Sequence, residues 1–134
     1  MIRMRIRVYA LTSDTHWGVL IHFNGIFDFR IQEFTAVGMD KTTKELTTVL
    51  TAVIKALSLR QIYPKAKVSI IFKKEILGLI ESYDGDDLYI ASLADTIRSL
   101  LEGVGSVDTL PSKKLANPVD TFISLAKELS MDMV

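Results

Sequence analysis

The sequence predicts an α/β fold with a five-stranded mixed sheet, in which a three-strand antiparallel meander is joined by parallel strands and flanked by helices. Three observations predict this class. Segments typical of β-strands succeed one another at residues 3–11, 17–23 and 26–34. An unbroken helical stripe then covers residues 42–57. A β-branched run at residues 68–72 follows the helix, and a strand reached through a crossover helix pairs in parallel.

The first three segments have the side-chain pattern of adjacent strands. In the first, apolar and arginine side chains alternate: Met4, Ile6 and Val8 against Arg3, Arg5 and Arg7. Asn24 and Gly25 separate the second segment from the third, and Asn-Gly is the strongest short hairpin signal. The three strands are therefore predicted to form an antiparallel meander.

The helix at residues 42–57 is the clearest element of the sequence. Its apolar stripe has helical spacing and consists of Leu46, Val49, Leu50, Val53, Ile54 and Leu57. Thr42 and Glu45 have the Thr-x-x-Glu spacing of a capping box, in which both side chains satisfy free backbone amides. We therefore expect the helix to begin at this box.

The second half of the chain predicts helices around one short strand. A short helix is expected over residues 75–83 and a longer one over residues 87–102. Residues 106–110 predict the fifth strand. Asn117 and Pro118 then predict the start of a last helix, since Asn is a good N-cap and Pro suits the first helical position.

Length, composition and charge exclude several classes of protein. The 134 residues predict a single domain, residues 1–134, and no cysteine is present for disulfide or thiolate chemistry. No apolar run is long enough to cross a membrane, so we expect a cytoplasmic protein without a membrane partner. Sixteen basic residues balance sixteen acidic ones. Attraction to nucleic acid would therefore require a local basic patch.

The order of elements and four local segments resemble the ribonuclease H family. Residues 8–13 are similar to its first-strand motif, and residues 38–46 to the approach to its first helix, which carries a Glu-Leu pair. Residues 68–74 are similar to its fourth strand, and residues 117–126 to its last helix. The resemblance covers most of the chain and implies the ribonuclease H-like fold.

The resemblance also implies a two-metal nuclease site, in which clustered carboxylates hold two Mg²⁺ or Mn²⁺ ions about 3.5–4 Å apart. Glu45 and Asp120 match two of the four carboxylate positions, while Leu11 and Lys73 stand at the other two. Leucine offers no metal ligand, and an ammonium repels a divalent cation. The site is thus expected to be catalytically degenerate, with no metal cofactor.

Two alternatives remain open for these carboxylates. Asp14 lies three residues after Leu11 and, displaced from the motif, could complete an active metal site with Glu45 and Asp120. Alternatively, Glu45 and Asp120 serve only to cap their helices. Capping is the favoured interpretation, because both carboxylates lie next to a predicted helix N-terminus.

The favoured interpretation is a degenerate ribonuclease H-like domain kept for binding RNA, DNA, an RNA/DNA hybrid or a protein. Lysine pairs and an aromatic residue could form the nucleic-acid surface: Lys73, Lys74, Lys113, Lys114 and Trp17. The alternatives are an active metal-dependent nuclease using Glu45, Asp120 and Asp14, and a structural or homo-oligomeric partner protein.

Overall fold

The computed structural model describes residues 4–12, 16–23, 26–33 and 40–110. Along the chain the elements are β1 (Arg5–Thr12), β2 (His16–Phe23), β3 (Ile26–Glu33), α1 (Lys41–Ile62), β4 (Lys67–Lys73), α2 (Lys74–Ser82), α3 (Leu88–Leu101) and β5 (Ser106–Leu110). This confirms the α/β class and the mixed sheet. The predicted last helix at Asn117 lies outside the described residues.

The sheet has the strand order β3-β2-β1-β4-β5. β2 pairs antiparallel with both β1 and β3, and Phe23 lies opposite Ile26, which agrees with the predicted two-residue hairpin. β4 pairs in parallel with β1, and β5 in parallel with β4. The crossover through α1 is the reason that β4 is parallel to β1.

One face of the sheet packs against α1 and α2, and α3 packs on these two helices, so that all three contribute to a single hydrophobic core. Ile6, Val8 and Ala10 of β1 alternate into this core with period two, as predicted for a strand. From α1 the core takes the buried side chains Leu46, Val49, Ala52, Val53, Ala56 and Leu59. The predicted stripe is corrected at Ile54, which is 56% exposed, because α1 turns the row containing its alanines toward the sheet.

The other face of the sheet is also buried along its central strands. Tyr9 and Leu11 of β1 and Leu20 of β2 are each at most 6% exposed, although they lie outside the helix-side core. His22 shares this environment and pairs with Arg7 across the strands. Burial, and secondarily the positive charge of Arg7, lowers the pKa of His22. His22 is therefore neutral near pH 7.

α1 and α3 run in the same direction and are joined at their C-terminal ends. The Arg60 guanidinium donates a hydrogen bond to the backbone oxygen of Gly103, just beyond the end of α3. Gly105 then turns the chain into β5 with φ +94°, a conformation that L side chains rarely adopt. Among the described helices, none is long and apolar enough to span a membrane.

Candidate functional site

The site is built where the two central parallel strands end. In the β1–β4 ladder Tyr9 lies opposite Ile71. The paired part of the ladder ends there, and beyond it the Nζ of Lys73 reaches the backbone oxygen of Thr12, the residue that follows Leu11. Leu11 and Lys73 stand at the positions where the sequence resemblance expected two carboxylates. The fold therefore brings the two substituted positions together.

Lys73 forms the centre of this site. Its Nζ donates a hydrogen bond of 3.1 Å to the backbone oxygen of Thr12, at the end of β1. The same Nζ lies 3.9 Å from Oε2 of Glu45 on α1. The Lys73 and Glu45 side chains are only 12% and 13% exposed. The ammonium thus links the end of β1 to the first turns of α1.

Glu45 reaches this position because of where α1 begins. The N-cap is Asp40, whose side chain accepts a hydrogen bond of 2.7 Å from the backbone amide of Thr43. The predicted capping box of Thr42 and Glu45 is therefore wrong, since both residues lie inside the helix. Hydrogen bonds from the Thr43 side chain and backbone lower the pKa of Asp40, so the cap is ionised at neutral pH.

Among the described residues around the Lys73 ammonium, Glu45 is the carboxylate that could serve a divalent metal ion. Glu45, the carboxylate present here, already faces the positive charge of Lys73. Leu11 is fully buried and has no oxygen to offer. Across the described part of the chain, no three histidine, aspartate or glutamate side chains converge to hold a metal. Two-metal chemistry needs several converging carboxylates, which these residues do not supply.

Exposed lysines flank the buried pair. Lys41 lies one helical turn before Glu45 and is exposed, and Lys74 follows Lys73 as the exposed first residue of α2. Residues four apart on a helix share a face, so Lys41 lies on the Glu45 side of α1. The sequence reasoning missed Lys41, although its i, i+4 spacing from Glu45 is visible in the sequence.

Of the residues predicted to bind nucleic acid, the structure describes Lys73, Lys74 and Trp17. Lys74 is exposed beside the pair, whereas the charge of Lys73 is directed inward at Glu45. Trp17 lies in β2, where its backbone pairs with Thr12, and its stacking role stays a prediction. Four further candidates lie outside the described residues: Asp14, Lys113, Lys114 and Asp120.

Comparison with solved structures identifies the fold. A crystal structure of RNase H1 from the halophilic archaeon Halobacterium salinarum NRC-1 matches with a TM-score of 0.55 and 10% sequence identity. The match covers 90% of this chain and 98% of that one. No protein-family model and no curated protein matches the sequence. The chain therefore has a ribonuclease H-like fold, and at this identity the likeness extends to the fold alone.

Proposed function

We propose that this chain is a catalytically degenerate ribonuclease H-like domain that binds nucleic acid without cleaving it. The observation that carries the proposal is the position of Lys73, whose ammonium lies between the Thr12 carbonyl and Glu45 where the strands end. An internal cation there neutralises the carboxylate that a metal ion would use. The ion pair keeps the fold of the site while removing its chemistry.

Binding is assigned to the exposed lysines beside the pair. Lys41 and Lys74 are solvent-exposed at the N-terminal ends of α1 and α2. Helix N-termini favour anions, and lysine contacts to phosphate supply most of the sequence-independent affinity for nucleic acid. The ribonuclease H1 neighbour supports a nucleic-acid ligand by analogy of fold. Lys73 contributes less, since its charge is already paired.

The test is fluorescence anisotropy with a labelled RNA/DNA hybrid across a salt series. The Lys41→Gln/Lys74→Gln variant is expected to bind more weakly and to reduce the slope of log K against log salt by about 2, roughly one for each lost phosphate contact. Lys67→Gln is the control, because this lysine is exposed and lies at the opposite end of β4 from Lys73. The control is expected to bind like the wild type.

Cleavage of the same hybrid is measured in parallel with Mg²⁺ and with Mn²⁺. We expect none. Metal-dependent cleavage that disappears in Glu45→Gln or Asp120→Asn would overturn the proposal in favour of an active nuclease. Equal affinity of the wild type, the Lys67→Gln control and the Lys41→Gln/Lys74→Gln variant would remove the assigned binding surface. Absence of any hybrid, RNA or DNA binding would reject the nucleic-acid ligand itself.

A further inference from the structure

The net charge of zero conceals a separation of charge along the chain. Residues 46–74 contain six basic and no acidic side chains, whereas residues 75–97 contain six acidic and no basic ones. The basic block covers most of α1, the following loop and β4. The acidic block covers α2 and the first ten residues of α3. Opposite charges are therefore concentrated on different elements of the fold.

The acidic block contains an exposed apolar surface at the beginning of α3. Leu88 is 85% exposed and Tyr89 61% exposed, more than is usual for large apolar side chains. Asp84 and Asp86 are exposed in the loop directly before them. We name Asp84, Asp86, Leu88 and Tyr89 the α3 tip.

The basic block contains a second apolar surface on the outer side of α1. Ile54 is 56% exposed and Ile62 63% exposed, and their spacing of eight residues places them on one face of the helix. Lys55 and Lys65 are exposed beside them. We name Ile54, Lys55, Ile62 and Lys65 the α1 face. Like the α3 tip, the α1 face combines two exposed apolar side chains with two charged ones, but its charge is positive.

The α3 tip and the Ile62 end of the α1 face lie at opposite ends of the two helices. α1 and α3 run in the same direction, and the bond from Arg60 to Gly103 joins their C-terminal ends. The α3 tip is at the far end of the 14-residue helix, about 21 Å away at 1.5 Å per residue. Within one copy, the α3 tip is therefore too far from Ile62 to cover it.

We propose that copies of this chain associate head to tail, with the α3 tip of one copy against the α1 face of the next. The carboxylates of the tip meet the ammonium groups of the face, and both pairs of exposed apolar side chains leave water together. Because two different surfaces meet, each copy keeps one of each free. Association then extends into open chains, or rings where the rotation closes.

Sedimentation velocity over a range of protein concentrations tests this association. The wild type is expected to sediment faster as concentration rises, and less so at about 1 M salt, where the Debye length is about 3 Å. Asp84→Lys/Asp86→Lys is expected to weaken association by about tenfold or more through like-charge contact. Asp87 is left unchanged, since it caps α3.

The matched control is Glu102→Lys/Asp108→Lys, which makes the same change of net charge at exposed positions outside both surfaces. This variant is expected to associate like the wild type. A tip variant that associates as strongly as this control would overturn the proposal. A wild type that stays monomeric at every concentration would also overturn it. If such a monomer bound a lysine-rich amphipathic peptide, the tip would belong to a different partner.

A charge exchange gives the most specific result. Lys55→Glu/Lys65→Glu makes both surfaces acidic, as Asp84→Lys/Asp86→Lys makes both basic. Each variant alone is expected to associate about tenfold or more weakly than the wild type, whereas an equimolar mixture associates like the wild type because every contact again joins opposite charges. A mixture that associates no more strongly than either variant alone, with both variants folded by circular dichroism, would contradict direct contact between the two surfaces.

Discussion

Removing the ion pair at the strand ends is expected to reveal a coupling free energy of about 2 kcal/mol between Lys73 and Glu45. At about 4 Å, two unit charges interact by about 1 kcal/mol in water and about 4 kcal/mol at an effective dielectric constant of 20. The pair is separated by 3.9 Å and is 12% and 13% exposed, so its environment lies between these limits. The expected coupling free energy of about 2 kcal/mol therefore lies between about 1 and about 4 kcal/mol.

The assay is urea unfolding of Lys73→Met, Glu45→Gln and the double variant. Each single variant leaves one charge nearly buried without its partner and should lose about 1–3 kcal/mol. The double variant removes both charges and should lose less than the two single losses added together. Comparing the four proteins also cancels the loss of the Lys73 bond to the Thr12 carbonyl, which both Lys73 variants share.

The exposed pair of Arg98 and Asp95 provides the matched control. Its side chains approach to 2.8 Å but are 48% and 70% exposed. Solvent screening should reduce its coupling to about 0.5 kcal/mol or less in the corresponding four-protein comparison. If Lys73 and Glu45 couple no more strongly than this surface pair, the proposed replacement of a metal ion by an internal cation loses its energetic basis.

Three further predictions concern stability. In the unfolded chain His22 takes up a proton as the pH falls through 6.5, whereas burial lowers its pKa in the folded protein. The unfolded state therefore binds more protons at low pH, and the urea midpoint should fall as the pH drops through 6.5. The decrease should be smaller in His22→Gln. Gly105→Ala forces a side chain into φ +94° and should cost about 1–2 kcal/mol in thermal unfolding, whereas Gly78→Ala, in open space within α2, should stabilise by up to about 1 kcal/mol. Asp87→Ala removes the bonds that cap α3 and should cost about 1 kcal/mol by the same measurement, while Asp86→Ala should cost little.

The proposed function requires that an ion pair can stabilise the strand ends in place of bound metal ions. A two-metal site stabilises a cluster of negative charges with positive ions supplied by solvent. In the proposed function, the Lys73 ammonium takes the place of one such positive charge, and fully buried Leu11 stands where a carboxylate would require another. The Lys73 side chain itself connects the end of β1 to α1. The exposed lysines nearby are then available for phosphate contacts.

Local patterns in the sequence predicted most of the described elements. The predicted fifth strand, residues 106–110, coincides with β5, although Pro111 follows it at once. Alternation along β1 identified the core residues Ile6 and Val8, because side-chain direction in a strand depends only on neighbouring residues. The Asn24-Gly25 hairpin was predictable for the same reason, since turn type is set by the residues in the turn.

Competition between nearby signals misplaced the beginning of α1. Thr42 and Glu45 satisfy the capping-box pattern, yet Asp40 caps the helix two residues earlier. Both signals are short and acceptable on their own, so which residue caps depends on where the preceding chain enters the helix. Ile54 was misassigned similarly, because α1 offers two adjacent apolar rows and the packing against the sheet decides which is buried.

The sequence alone determined the described strands and helices and their order, since each of these depends on residue type and local spacing. Only the tertiary structure decided that Lys73 faces Glu45 and the Thr12 carbonyl, which lie 28 and 61 residues away along the chain. It also decided that the acidic and basic blocks each carry an exposed apolar surface. Contacts between residues distant in sequence depend on how the elements pack, and no local pattern encodes that arrangement.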